Sequence, residues 1–128
     1  MDNAPSPAAM ATSAGEAAAL LKTLSNEHRL LILCHLIAED EMSVGELVSK
    51  IGLSQSALSQ HLARLREEDL VGFRREAQTL FYRVCDARAA SILLLLHEMF
   101  CAGPDTADLR KSRMARPGRH RDKASKGN

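Results

Sequence analysis

Apolar side chains recur with a helical period over the first third of the chain, which predicts two helices. The first helix starts at Glu16, and the second, capped by Ser25 or Asn26, runs to about Glu39. The inward stripe of the first helix consists of Ala17, Leu20, Leu21 and Leu24. That of the second consists of Leu30, Leu33, Cys34 and Ile37, widened by Leu31, Ile32 and Leu36. Because the second helix is apolar over most of its circumference, we expect it at the centre of the fold.

Two short helices joined by a tight turn follow. Ser43 caps the first, and Glu46, three residues later, completes the pattern of a capping box. Gly52 is placed to end this helix, and Ser54 to cap the next, which extends to about Asp69. The inward stripe of that next helix consists of Ala57, Leu58, Leu62 and Leu65. This arrangement predicts a helix-turn-helix.

Beyond Asp69 the apolar period changes to two, which predicts a hairpin of residues 70–75 and 80–84. The four residues between these strands include no Gly or Asn, so we expect a loop longer than a two-residue turn. Asp86 then caps a final helix ending at Cys101, which is apolar nearly all round. A domain this small has too little interior to bury every face of such a helix, so we expect it to pack against a partner chain.

These elements predict a mainly α-helical fold with a small β-hairpin. We expect a dimeric winged helix-turn-helix of five helices and a two-stranded wing. The chain has 128 residues, which suits one domain. Residues 1–14 are rich in Ala, Pro and Ser and are predicted to form a disordered arm. Residues 15–103 are predicted to be the DNA-binding and dimerisation domain, and residues 104–128 a basic, disordered tail.

The charge is unevenly distributed, although its sum is only +1. Residues 104–128 carry eight Lys or Arg and three Asp, whereas residues 1–103 carry nine Lys or Arg and thirteen Asp or Glu. A DNA-binding surface on the body must therefore concentrate its cations on one face. No apolar run has the length of a membrane span and no signal peptide is evident, so we expect a cytoplasmic protein with no membrane partner.

The predicted second helix of the helix-turn-helix has a polar outward face. Its members are Gln55, Ser56, Ser59, Gln60 and Arg64. Amides and small hydroxyls suit base edges in the major groove of DNA. Any one of these residues taken alone would be read as ordinary solvated surface. Their concentration on this particular helix favours base recognition.

Three arginines of the hairpin, Arg74, Arg75 and Arg83, are expected to lie close together and to hold DNA phosphates, which positions a protein without reading sequence. A solvated charge cluster is an equally good interpretation of them. His61 lies beside the inward stripe of its helix, where packing or a phosphate contact is favoured over catalysis.

Three segments resemble ArsR-type repressors: LLKTLSNEHRLLILCHL, SVGELVSKIGLSQSALSQHLARLREEDLV and FRREAQTLFYRV. The resemblance covers about residues 16–101. It implies a homodimer joined through its first and last helices, and repression of an operator near the repressor's own gene until an inducer binds. With the helix-turn-helix and the apolar last helix, it leads us to expect double-stranded operator DNA in the form of an inverted repeat.

The metal sites of that family have no counterpart here. Residues 43–49 contain no thiol where the arsenic- and cadmium-sensing members resemble ELCVCDL. In the last helix, Asp86 and His97 lack the partner residues that zinc- and nickel-sensing members place beside them. We therefore expect no metal site of either kind and no cofactor.

Cys34 and Cys101 are placed like the two thiols of the sulfide- and persulfide-sensing, BigR-like branch of that family. This resemblance implies that a persulfide or polysulfide inducer joins the thiols through a short chain of sulfur atoms and that the protein then leaves DNA. Such a chain spans more than a disulfide, whose Cα atoms must lie within about 7 Å. Cys85 has no such counterpart and is expected to be structural. On composition alone, Cys34 would be a buried small apolar residue.

Three other functions remain open. The same thiols, with Cys85 or His97, could bind a soft metal or metalloid such as As(III) or Cd(II), or respond to general oxidants. A thiol enzyme is disfavoured, because no base at a recognisable spacing and no glycine-rich cofactor loop accompany the cysteines. A redox-inert architectural protein would bind DNA chiefly through the basic tail, so deleting the tail would abolish binding.

Overall fold

The computed structural model describes residues 4–101, which contain five helices and three strands. In chain order these are α1 Pro7–Leu24, α2 Glu27–Glu39, β1 Met42–Ser43, α3 Val44–Ile51, α4 Gln55–Glu67, β2 Val71–Glu76, β3 Thr79–Val84 and α5 Ala87–Phe100. By its contacts the described part of the chain divides into two compact units, one ending at Leu93 and one beginning at Leu94. No helix within residues 4–101 is long and apolar enough to cross a membrane. The predicted winged-helix fold, mainly helical with a β-hairpin, is confirmed.

Helix α1 begins nine residues earlier than the sequence analysis expected. Ser6 caps it by accepting a hydrogen bond from the Ala9 amide, and Pro7 occupies the first turn, where its missing N–H costs nothing. The disordered arm was therefore the wrong prediction for residues 7–14, because alanine favours a helix even where no large apolar side chain marks one face. The predicted basic tail, residues 104–128, lies outside the described residues, so that domain limit stays a prediction.

Helix α2 is central, as expected, but its inward face is turned relative to the predicted stripe. Ile32, Leu33 and Leu36 are buried, whereas Leu31 and Cys34 are exposed. The three buried residues belong to a core that is aliphatic except for Tyr82. Its members are Leu24, Ile32, Leu33, Leu36, Met42, Leu47, Leu58, Leu62, Leu65, Leu70, Val71, Tyr82, Ala89 and Leu93. A helix that is apolar all round does not reveal its inward face by periodicity.

The helix-turn-helix consists of α3 and α4, and its caps match the sequence prediction. The Ser43 hydroxyl accepts from the Glu46 amide at 3.1 Å, and the Glu46 carboxylate accepts from the Ser43 amide at 2.9 Å. Gly52 has φ 87°, in the left-handed region that glycine adopts without strain, and it ends α3. The Ser54 hydroxyl then accepts from the Ala57 amide and starts α4. These caps fix the angle at which α4 leaves the turn.

The wing is a three-stranded antiparallel sheet in the order β1-β3-β2, one strand more than predicted. The two residues of β1 are too short to produce an apolar period. The turn between β2 and β3 is also tighter than expected, because Glu76 pairs with Thr79 and leaves only Ala77 and Gln78 in the loop. Ala77 has φ 58°, so an alanine here adopts the backbone conformation that glycine or asparagine usually supplies.

Helix α5 begins at the predicted cap. One carboxylate oxygen of Asp86 accepts from the amides of Arg88 and Ala89 at 2.8 and 3.3 Å. The guanidinium of Arg88 pairs with Asp86 and with Glu16 on α1, which ties the first turn of α5 to α1. In the second compact unit, from Leu94 onward, α5 exposes large apolar side chains. These are Leu94, Leu95, Met99 and Phe100.

Candidate nucleic-acid interface and thiols

The outward face of α4 carries the predicted base-reading residues. Leu58, Leu62 and Leu65 are buried, and successive residues of a helix are rotated by about 100°, so Ser56 and Gln60 point away from the core. Gln55 and Ser59 lie toward one side of that face, and Arg64 toward the other. Gln55, Ser56, Ser59 and Gln60 are all exposed, whereas Arg64 is half-buried. The face offers amide and hydroxyl groups of the kind that bind base edges.

On the wing side of this face, the sheet supplies a free cation. The guanidinium of Arg66 lies over the Phe73 ring, 5.1 Å from its centroid, and so joins α4 to β2. Because side chains alternate along a strand, Arg75 shares the sheet face of Phe73. Arg75 is exposed, and within residues 4–101 no carboxylate forms an ion pair with it. Its charge is available to a phosphate.

Arg74 and Arg83 lie on the opposite sheet face, so the structure separates the three arginines that the sequence grouped together. The guanidinium of Arg74 donates to both oxygens of Glu41, at 2.8 and 3.0 Å, and to Glu76 at 2.9 Å. It also lies over the Phe81 ring. Hydrogen bonding to Arg74, with smaller charge effects of Arg74 and Arg83, lowers the pKa of Glu41. The charge of Arg74 is thus already matched by two carboxylates.

On the other side of α4, four basic side chains meet where α2 begins. The Nη1 atom of Arg29 lies 3.4 Å from Nδ1 of His61, and the rings of His28 and His61 are 5.8 Å apart. Arg64 acts on Arg29 through its charge. We call His28, Arg29, His61 and Arg64 the Arg29 cluster; all four are half-buried. Sequence analysis had singled out His61 and Arg64 but missed His28 and Arg29, whose neighbours lie about thirty residues further along the chain.

Both burial and like charge act on the Arg29 cluster. Burial, with a smaller effect of the charge of Arg64, lowers the pKa of Arg29. Burial also lowers the pKa of His61, and Arg29 and then His28 add to the effect. The neutral His61 ring therefore accepts a hydrogen bond from Arg29 at Nδ1.

The two predicted sensing thiols are both exposed. Cys34 lies on the outward face of α2, and Cys101 directly follows α5, where its amide donates to the His97 carbonyl at 2.7 Å. Cys34 belongs to the first compact unit and Cys101 to the second. The expectation of a buried Cys34, drawn from composition, is wrong for the single chain. Within residues 4–101, no group of three or more His, Cys, Asp or Glu side chains is placed to hold a metal ion.

Cys85 is exposed as well, but it makes contacts of its own. Its Sγ lies 4.0 Å from the Asp69 carbonyl oxygen, and a side chain added at Gly72 would reach the same sulfur. Cys85 also lines an open surface cavity of about 360 Å³, together with the end of α2 and the start of α5. Its structural role remains a prediction that these contacts favour.

Comparison with known proteins settles the family. The family model for bacterial regulatory proteins of the arsR family matches residues 26–72, from the N-cap of α2 into β2. The transcriptional activator HlyU of Vibrio cholerae is 50% identical over 92 residues, which are 72% of this chain and 84% of HlyU. This chain belongs to the ArsR family.

Other ArsR-family regulators are similarly related. The biofilm growth-associated repressor of Xylella fastidiosa is 47% identical over 93 residues, which cover 73% of this chain and 81% of the repressor. The crystal structure of the repressor BigR from Xylella fastidiosa matches with a TM-score of 0.72 at 44% identity, over 77% of this chain and all of that one. Reduced HlyU matches with a TM-score of 0.68 at 50% identity, over 72% of this chain and 96% of that one. These relatives are transcriptional regulators rather than enzymes, and the predicted resemblance to the BigR-like branch is confirmed.

Proposed function

We propose that this ArsR-family regulator is a homodimeric repressor that leaves its operator when Cys34 and Cys101 become joined by sulfur. The observation that carries the DNA-binding part is the outward face of α4, where Ser56, Ser59 and Gln60 stand clear of the core. On either side of it lie cations that form no ion pair within residues 4–101. An α-helix fits into the major groove of DNA, and a row of backbone phosphates lines the groove on each side.

The dimer is supported by exposed apolar side chains in each of the two compact units. Leu21 on α1 and Leu31 on α2 are exposed in the first compact unit. Leu94 and Phe100, exposed by 58% and 70%, form part of an apolar surface in the second. Large apolar side chains left exposed in a small domain favour an interaction site. The ArsR resemblance assigns that site to a second copy of the chain, which presents two α4 helices to an inverted repeat.

The sensing proposal is supported by the exposure of both thiols, because a persulfide dissolved in water can reach each of them. Each cysteine thiolate attacks the outer sulfur of glutathione persulfide, gains one sulfur atom and releases glutathione thiolate. Joining the two protein persulfides removes two electrons. A third glutathione persulfide accepts them and leaves as glutathione and hydrogen sulfide. The product is a bridge of four sulfur atoms between the two cysteine Cβ atoms.

Intact mass spectrometry and DNA binding, measured on the same samples, test this proposal. The reduced protein is treated with glutathione persulfide and, in parallel, with hydrogen peroxide, As(III) or Cd(II). We expect persulfide alone to add two sulfur atoms per chain, with loss of two hydrogens, and to release a duplex selected by the wild-type protein. Cys34→Ser and Cys101→Ser should retain DNA after treatment. Cys85→Ser, the matched control, should be released as the wild type is.

Other outcomes assign the thiols differently. Equal release by peroxide, through a simple disulfide, would make the protein a general redox sensor. Release by stoichiometric As(III) or Cd(II) would make it a soft-metal sensor. In both cases the DNA-binding function would stand.

Activation of transcription is a second candidate, because HlyU, at 50% identity, is named an activator. Transcription in vitro from a promoter carrying the selected site separates the two. We expect the reduced protein to lower transcript yield, and a rise in yield would favour activation.

A further inference from the structure

The Arg29 cluster brings basic groups together, and no carboxylate of the described residues 4–101 pairs with them. The ion pairs of residues 4–101 join Arg74 to Glu41 and Glu76, and Arg88 to Glu16 and Asp86; none includes a member of the cluster. Like charges held at short distance in partly buried positions repel one another. An arrangement of this kind is completed by an anion from outside the chain.

The guanidinium of Arg29 is held in place for such an anion. Its Nε donates to the carbonyl of Thr23 at 2.6 Å, which fixes the plane of the fork against the end of α1. Its Nη1 faces His61, and within residues 4–101 its Nη2 makes no hydrogen bond. A guanidinium whose Nη2 makes no hydrogen bond within residues 4–101 can donate to an oxygen of a phosphate.

The position of the cluster identifies the anion. Arg64 follows Gln60 by four residues, so the two side chains are neighbours on α4. Arg66 and Arg75 lie on the other side of the reading face. A helix in the major groove, about 12 Å wide, has a phosphate backbone on each side. The cluster is therefore on the side of the groove away from the wing.

We propose that the Arg29 cluster binds a backbone phosphate of DNA on the groove wall opposite the one that Arg75 contacts, and that His61 takes up a proton as the phosphate binds. The proposal rests on the proposed binding of α4 to DNA. It adds a contact from α2, outside the helix-turn-helix, and it makes DNA affinity depend on pH.

The direction of the pH dependence follows from the groups around His61. Arg29 and His28 face it from α2, Arg64 lies on its own helix, and the electrostatic effects on its ring come from cations. Burial, and then the charges of Arg29 and His28, hold the pKa of His61 low in the free protein, so the ring is neutral near pH 7. A bound phosphate offsets those charges and raises the pKa. DNA affinity should therefore increase as pH falls from the pKa that His61 has in the complex toward its lower pKa in the free protein.

Binding of a fluorescent duplex, selected from a random pool by the wild-type protein, tests the proposal as a function of salt and pH. For Arg64→Gln we expect affinity to fall roughly tenfold and the slope of log K against log salt to lose about 0.9, the value for one phosphate. Arg88→Gln, which removes a cation already paired with Asp86 and Glu16, should leave the slope unchanged. Arg29 is not substituted, because its Nε donates to the Thr23 carbonyl and the loss of that hydrogen bond would disturb the end of α1.

Proton uptake on DNA binding is measured by calorimetry at several pH values across and below the ordinary histidine range, in two buffers of different ionisation enthalpy at each pH. The wild type should take up protons, His61→Gln should lose that uptake, and His35→Gln, two turns along α2 from His28, should keep it. Circular dichroism and thermal unfolding identify any variant that fails to fold. The proton uptake of the wild-type protein tests the proposal even if a variant does not fold. Absent wild-type uptake, or an unchanged salt slope in folded Arg64→Gln, would overturn the proposal while leaving DNA binding by α4 in place. A wild type that selects no duplex would instead refute the proposed function.

Discussion

At the scale of single residues, two arginines with the same formal charge differ in how readily they can bind a DNA phosphate. Arg74 is held by two carboxylates and stacks on Phe81, whereas Arg75 has no acidic partner in the described part of the chain. An arginine already matched by carboxylates gains little by approaching a phosphate, because it must lose those contacts first. Arg75 is therefore the better candidate for a phosphate contact from the wing.

We predict that Arg75→Ala weakens binding of all duplexes alike, by roughly tenfold, and lowers the salt slope by about 0.9. Arg74→Ala should change the slope much less, because it removes a cation together with its pairing to Glu41. Fluorescence anisotropy across a salt series measures both. Equal slopes for the two variants would show that the ion pairs do not decide which arginine meets DNA.

The sequence predicts the outward residues of α4 well, because a helical period between buried leucines determines which side chains face outward. It does not predict the environment of Arg29, whose contact with His61 spans 32 residues. Nor does it predict that Glu41, which precedes β1, pairs with Arg74. Such long-range ionic contacts depend on how the elements pack and leave no local signal.

At the scale of elements, caps were predictable and the wing turn was not. The capping box of α3 and the Asp86 cap of α5 rely on residues three apart, so the sequence shows them directly. The loop between β2 and β3 was expected to be long because no glycine was present. Pairing of the strands up to Glu76 and Thr79 forces the two-residue turn instead, with Ala77 in a left-handed conformation.

We predict that Ala77→Gly raises the free energy of unfolding by about 1 kcal/mol, because it removes the steric cost of a Cβ atom at positive φ. In a domain of this size that corresponds to about 4–8 °C in Tm. Gln78→Gly is the matched control: Gln78 does not have positive φ, so the change should lower stability by adding freedom to the unfolded chain. Thermal unfolding by circular dichroism compares them, and a loss of stability in Ala77→Gly would contradict the structure of the turn.

At the scale of the whole molecule, the order of elements was enough to predict the winged-helix fold. The partner chain expected from the unbroken apolar run of α5 stays a prediction, which the exposure of Leu94, Leu95 and Phe100 favours. We have proposed that the partner is a second copy of this chain. Such a dimer would present two α4 helices to one face of DNA, as binding to an inverted repeat requires.

The most direct test of this account is the DNA sequence that the protein selects. From a random duplex pool we expect an inverted repeat bound by one dimer, with half-site centres about 34 Å apart. Gln60→Ala should then lose discrimination at one base-pair position per half-site, by about 1–3 kcal/mol, and bind other single-base variants in the wild-type order. Selection of no repeat, or an equal loss of affinity for every variant, would contradict base reading by α4.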